Sequence, residues 1–96
     1  MWRGFRYDNA GFKKDTEGDR LVVSGEITNT SGKKYNAVVF RLILFIKDIP
    51  ISNTVITIHG FRSGQTKRFE KRAGDLEYSR VAKEISRYEI YPESGY

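Results

Sequence analysis

The 96-residue chain has no cysteine, two prolines, one histidine and one tryptophan. Without cysteine it can form neither a disulfide framework nor a thiolate metal site, and one histidine cannot build the usual nitrogen/sulfur zinc site alone. The same lack leaves the redox compartment unread, because an oxidising environment permits disulfides without requiring them. Long apolar runs are missing as well. The most apolar stretch, residues 37–46, contains Arg41 and is half of the roughly 20 residues a membrane helix needs. Residues 1–12 carry no apolar core of signal-peptide length. The chain as it stands therefore reads as soluble, with no transmembrane segment and no signal peptide.

What is present suits one globular domain spanning 1–96. A hydrophobic share of 39% and an aromatic share of 14% lie well above those of a disordered tail. A chain of this size buries about two-thirds of its unfolded surface, enough to fold without staples if its core is well patterned. The formal charge of +5 favours solubility and weak attraction to nucleic acid, anionic lipid or acidic polymer, and is silent about fold.

Alternation supplies the fold class. In residues 21–29, Leu21, Val23, Gly25 and Ile27 share one face, the period of a half-buried strand. Gly25 on the inward face implies a bulge or the close approach of a bulky neighbour. Residues 35–47 read as one long strand, with Val38, Phe40, Leu42, Leu44 and Ile46 on one side and Ala37, Val39, Ile43 and Phe45 beside Arg41 on the other. Apolar residues on both sides imply a strand covered on both faces or a bulge that swaps them. Asp48-Ile49-Pro50 is expected to break the chain before strands at 52–59 and 65–72, with residues 60–64 as a loop and Phe69 pointing inward. Tyr78, Val81, Ala82 and Ile85 fall at helical spacing, so a short helix is placed near 76–85 with Asp75 as its N-cap. Alternation returns over 87–91. Residues 1–19 supply an edge strand or flap, with Phe5, Tyr7 and Phe12, and then a polar turn around Gly18. About seven strands at this spacing point to an all-β sandwich or barrel.

The order of residues is also familiar. Val23-x-Gly25-x-Ile27-x-Asn29-x-Ser31 resembles the opening strand and turn of the bacterial FxLYD-type immunoglobulin-like domains. Leu42-x-Leu44-Phe45-Ile46 falls where that family carries its name motif, with leucine in place of phenylalanine and Ile46 in place of aspartate. Gly64 followed by Phe69 is similar to its glycine turn and inward phenylalanine. The resemblance covers residues 20–91. It implies an immunoglobulin-like sandwich serving as an accessory module of bacterial envelope or secreted proteins, with no catalytic residue or cofactor to carry over.

Candidate sites are few. Catalysis needs a base held against a nucleophile or a reacting proton. His59, at a strand end near Ser63, has no orienting carboxylate beside it in sequence and reads as a strand-end residue. Asp15, Glu17 and Asp19 alternate around Gly18, but lack the twelve-residue calcium loop and its closing glutamate, so a solvated hairpin turn is expected. Gly60 and Gly64 lack the spacing of a phosphate-binding loop. Asn29-Thr30-Ser31 matches a glycosylation acceptor, although a turn asparagine is the better account. No catalytic, metal or cofactor site emerges.

Two surfaces remain. Ser31, Gly32, Lys33 and Lys34, together with Gly60, Phe61, Arg62, Ser63 and Gly64, form an interaction surface for another protein, or for other domains of the same chain, if the two segments lie at one end of the sandwich. Arg62, Lys67, Arg68, Lys71 and Arg72 crowd eleven residues that also hold Phe61 and Phe69, a mixture able to hold single-stranded nucleic acid by charge and stacking. Strand geometry opposes that use: Lys67, Phe69 and Lys71 share one face while Arg68, Glu70 and Arg72 share the other. A charged edge that discourages strand pairing is favoured over nucleic acid as the partner. The leading reading is thus a non-catalytic interaction module or spacer, with a small basic β-domain binding nucleic acid or another polyanion as the alternative.

Overall fold

The computed structural model of the chain describes residues 4–96, and of residues 74 and 75 the backbone alone. The chain runs β1 (Phe5–Lys14), β2 (Arg20–Asn29), β3 (Tyr35–Ile46), β4 (Ile49–Phe61), β5 (Thr66–Glu77), α1 (Tyr78–Val81) and β6 (Arg87–Gly95). The strands form two antiparallel sheets, β1-β2-β5 and β4-β3-β6, packed face to face as a sandwich. The alternation in the sequence explains this layering. Leu21, Val23 and Ile27 of β2 point at Val38, Phe40, Leu42 and Leu44 of β3, all at most 1% exposed. Ile56, Ile58, Phe61, Phe69 and Ala73 complete the core. Burial of each larger side chain contributes about 1.5–3 kcal/mol.

The aperiodic start of the chain has a local cause. β1 pairs with β2 along its whole length, but the register shifts between Asp8 and Gly11, and Asn9 takes φ 55° there. The bulge changes the phase of the strand. Phe5 and Tyr7 before it, and Phe12 after it, consequently all pack against the core. Rings of Phe5 and Tyr7 meet Phe40 edge-on, at centroid distances of 5.1 and 6.2 Å.

β3 is itself unbroken. Its register shifts are taken up by its neighbours, near Ile51 on β4 and near Glu93 on β6. Among the described residues no sheet lies over its second apolar face, which long charged side chains cover instead. The Arg87 guanidinium lies 3.8 Å from the centre of the Phe45 ring. Arg41 donates to both carboxylate oxygens of Glu93 at 2.8 Å and to Asn53 Oδ1 at 2.8 Å.

Three expectations require correction. The break after β3 is a two-residue turn of Lys47 and Asp48, with φ 49° and 67°, and Ile46 pairs directly with Ile49. Positive φ at both central residues is the geometry that matches hairpin twist. Pro50 lies inside β4, where an edge strand tolerates it. Second, β4 continues through Gly60 to Phe61, so the loop before β5 shrinks to residues 62–65. Third, β5 extends to Glu77, and the short helix expected within 76–85 is Tyr78–Val81, with Glu77 rather than Asp75 at the N-cap position and no side-chain bond from it. The side chain of Asp75 lies outside the described residues. Asp19 serves the helix start instead: its carbonyl accepts from the Tyr78 N–H at 2.7 Å, and its carboxylate accepts from the Ser79 N–H at 3.1 Å. The helical spacing is real over this turn, where the Ala82 N–H donates to the Tyr78 carbonyl at 3.1 Å and the Ile85 N–H to the Val81 carbonyl at 3.2 Å, and Leu76, Tyr78, Val81, Ala82 and Ile85 all lean on the core margin.

The Tyr7 hydroxyl is buried without a hydrogen-bond partner among the described residues. Desolvation pushes its pKa from the ordinary 10.0 up to about 12. Between those values the unfolded chain releases this proton and the folded chain keeps it, so Tyr7's contribution is level below about pH 10 and declines as pH rises towards 12. Tyr7→Phe is expected to raise stability by about 1 kcal/mol at neutral pH, by removing an unsatisfied buried group. It should also flatten the alkaline limb of a urea-denaturation pH series. A destabilised Tyr7→Phe protein would show that the hydroxyl has a partner after all.

Candidate functional site at the loop end

Asn29, at the end of β2, builds the junction of the candidate loops. It is wholly buried. Its Oδ1 accepts from the Ser31 N–H at 3.0 Å and from Ser31 Oγ at 2.6 Å, the local Asx-type turn that Asn-x-Ser favours. Its Nδ2 donates to the Lys33 carbonyl at 2.8 Å and across the sandwich to the Phe61 carbonyl at 3.2 Å. Its main chain ties in the third segment: the N–H donates to Gln65 O at 2.9 Å, and the carbonyl accepts from the Gly64 N–H at 2.7 Å. One side chain thus satisfies half-buried backbone groups of the 30–34 loop and the buried Phe61 carbonyl at the end of β4, while its own backbone anchors the 62–65 turn. With both Nδ2 hydrogens committed, Asn29 is a structural turn residue.

The two candidate loops therefore lie together. The Arg62 N–H donates to Gln65 Oε1 at 3.0 Å, which closes the 62–65 turn. Gly32 and Gly64, both at φ 80°, supply the left-handed positions the two turns require. Thr30 donates to the Gly4 carbonyl and Asn36 to the Tyr96 carbonyl, each at 2.6 Å, so both ends of the described chain reach this end of the sandwich. Gly32, Lys33, Lys34, Gly60, Arg62, Ser63 and Gly64 are exposed, and Ser31 is half-buried. Phe61 differs: it is completely buried, with its ring 6.5 Å from that of Phe40, and belongs to the core. Its inclusion among the surface residues is corrected accordingly. Lys33, Lys34 and Arg62 make no ion pair among the described residues, which leaves three unneutralised cations on one rigid surface.

The basic cluster is divided. β5 is an edge strand, with Phe69 buried against Gly25 of β2. Lys67 and Lys71 flank Phe69 on its face, while Arg68 and Arg72 point the other way. Arg72 pairs with Asp15 at 2.6 Å, Arg68 approaches Glu70 at 3.8 Å, and Glu70 also binds Lys13. These cations neither share a surface nor border an exposed ring within their strand.

The remaining candidates separate in space. Asp15 holds Arg72, and Asp19 holds Ser79, whose hydrogen bond keeps the Asp19 carboxyl below its usual pKa. Among the described residues no group of three or more histidine, aspartate or glutamate side chains is placed to hold a metal ion. His59 is exposed and sits across from Ala37 on the outer side of its sheet. At the opposite margin of the sandwich, an open cavity of about 420 Å³ is lined by Phe12, Ile85, Ser86, Arg87 and Tyr88. Nothing in the sequence marked it, because its wall joins residues from distant segments. No helix among the described residues is long and apolar enough to cross a membrane. Comparison with protein-family models, with curated proteins and with solved structures returns no match.

Proposed function

We propose that this chain is a non-catalytic immunoglobulin-like module of the FxLYD kind, from a bacterial envelope or secreted protein, that meets an acidic patch on another protein through Lys33, Lys34 and Arg62. The observation carrying this reading is the Asn29 junction, which makes two loops that cross between the sheets, β2 to β3 and β4 to β5, into one fixed surface. Loops held by a rigid scaffold are where sandwich folds carry recognition. Strand order supports the immunoglobulin-like part: β1-β2-β5 facing β4-β3-β6 corresponds to strands A-B-E facing C′-C-F of that sandwich. The unpaired cations supply the chemistry for an acidic partner.

Site-specific photo-crosslinking in the intact host cell tests the proposal. A photoreactive residue at Lys33 or Ser63 should yield a protein adduct, and one at Glu17, on the turn at the far end, should not. Charge reversal at Lys34 and Arg62 should reduce the adduct at least tenfold without changing the melting temperature by more than a few degrees. No adduct at either loop position would leave only a spacer role. Binding to single-stranded DNA, RNA or heparin that falls steeply with salt would instead move the reading to a polyanion-binding domain.

A further inference from the structure

Among the described residues the two sheets have four edge strands, β1, β5, β4 and β6, and three of these are guarded. β1 carries a bulge and the charges of Arg6, Asp8, Lys13 and Lys14. β5 carries Lys67, Arg68, Glu70, Lys71 and Arg72. β6 carries Pro92, a register shift and the charges of Arg87, Glu89 and Glu93. Charge, proline and bulges are the devices by which proteins stop edges from pairing.

β4 has almost none of them. It is the longest strand, at 13 residues, and contains no lysine, arginine, aspartate or glutamate, although 30% of the chain is charged. Its proline and its one irregularity are confined to the start. From Ser52 to His59 it is regular, in unbroken register with β3. Val55, Thr57 and His59 are exposed along its outer side.

From this we infer that β4 is a pairing edge, and that its occupant is β4 of a second copy of this chain, joined antiparallel about a two-fold axis. Charge selects the occupant. A molecule with a formal charge of +5 repels its own copies, so self-association is least opposed where its surface is uncharged. Antiparallel self-pairing centred on Val55 sets Asn53 across from Thr57, Thr54 across from Ile56 and Ser52 across from Ile58, with no like-charge pair. The contact is isologous, uses the unguarded edge of each copy, and closes at two. Because β4 ends at the loop surface, an antiparallel pair points the two loop ends in opposite directions, which makes the dimer a bridge between two partners.

Eight residues of paired strand bury only about 300 Å² per copy, from a rise of ~3.4 Å per residue and a contact width of ~10 Å, below the usual range for a stable complex. The dimer is therefore weak and transient, populated towards millimolar concentration. Raising salt should tighten it, since screening relieves repulsion between copies.

Sedimentation equilibrium of the full chain from 10 µM to 1 mM tests the inference. Concentration-dependent dimer is expected, stronger at 500 than at 50 mM NaCl. Val55→Lys, which brings two cations together near the axis, should weaken association at least tenfold, whereas Val55→Thr should preserve it. Since the chain has no cysteine, single cysteines introduced at 53, 55 or 57 give an independent readout: at least one should form an intermolecular disulfide far faster than cysteine placed at Glu17. A chain that stays monomeric at 1 mM overturns the inference. So does a dimer that survives Val55→Lys with folding intact, or equal crosslinking at all positions.

Discussion

Asn29→Ala is expected to lower stability by about 3 kcal/mol, the larger of the two effects argued here. The substitution deletes four side-chain hydrogen bonds at a residue with no exposure. Each such bond contributes only about 1 kcal/mol net, but the carbonyl of Phe61 and the N–H of Ser31 would be left with unmet demand, and desolvated polar groups cost about 1–3 kcal/mol each when orphaned. For a chain of this size the loss lowers the melting temperature by roughly 12–24 °C. Thermal and urea denaturation followed by circular dichroism measure it. Asn29→Asp separates the contributions of its two ends: the oxygen that Ser31 donates to is kept, but a carboxylate oxygen replaces Nδ2 opposite the carbonyls of Lys33 and Phe61. The aspartate protein should be at least as unstable at pH 7 and should recover part of the loss under mild acid, where a protonated carboxyl can donate again. A loss below 1 kcal/mol for Asn29→Ala would mean that water replaces the side chain easily, and that the two loops are not held as one surface.

The same residue marks the limit of what the sequence discloses. Asn29-x-Ser31 announces a turn through local chemistry, and the structure contains that turn. The bonds to Phe61 and Gly64 join segments more than thirty residues away, and no local pattern encodes them. Elsewhere the division is alike. Alternation in 21–27 and 38–44 marks an all-β sandwich or barrel and much of the core that the sandwich buries, because the pleat sends every second side chain inward. Gly60 before Phe61 and Gly64 soon after it give Phe61 the local pattern of a loop residue, whereas the ring's burial depends on Phe40 across the core. The short helix expected within 76–85 is present at Tyr78–Val81, because Tyr78, Val81, Ala82 and Ile85 do fall at the spacing of a helical turn that leans on the core margin. Its cap came from Asp19, a residue no spacing rule connects to it. Pro50 bars a central strand, and the β4 that contains it is an edge strand, a position no local pattern reveals. The unguarded character of β4 lay in the sequence as a charge-free run, yet it gained meaning only once β4 was placed at an edge.

Gly25→Val should cost about 2 kcal/mol, and the reason for the glycine is its neighbour rather than its backbone. Gly25 pairs with Phe69, and a β-carbon there would lie 2.9 Å from Cε2 and Cζ of the Phe69 ring and 3.4 Å from the Ala10 Cα. The ring has two responses. It can stay and force overpacking, which costs about 1–3 kcal/mol. It can swing outward past the edge, surrendering a burial that leaves it only 8% exposed and is worth about 1.5–3 kcal/mol. The better strand propensity of valine returns up to about 1 kcal/mol, which leaves a net loss of about 2 kcal/mol and a melting temperature lowered by roughly 8–16 °C. Phe69→Leu alone should also destabilise, by removing core volume, but combined with Gly25→Val it should cost less than the sum by at least 1 kcal/mol, since the shortened side chain leaves room for the valine. Additivity within 0.3 kcal/mol, which is typical of sites that do not touch, would rule out the ring as the reason for glycine at this position.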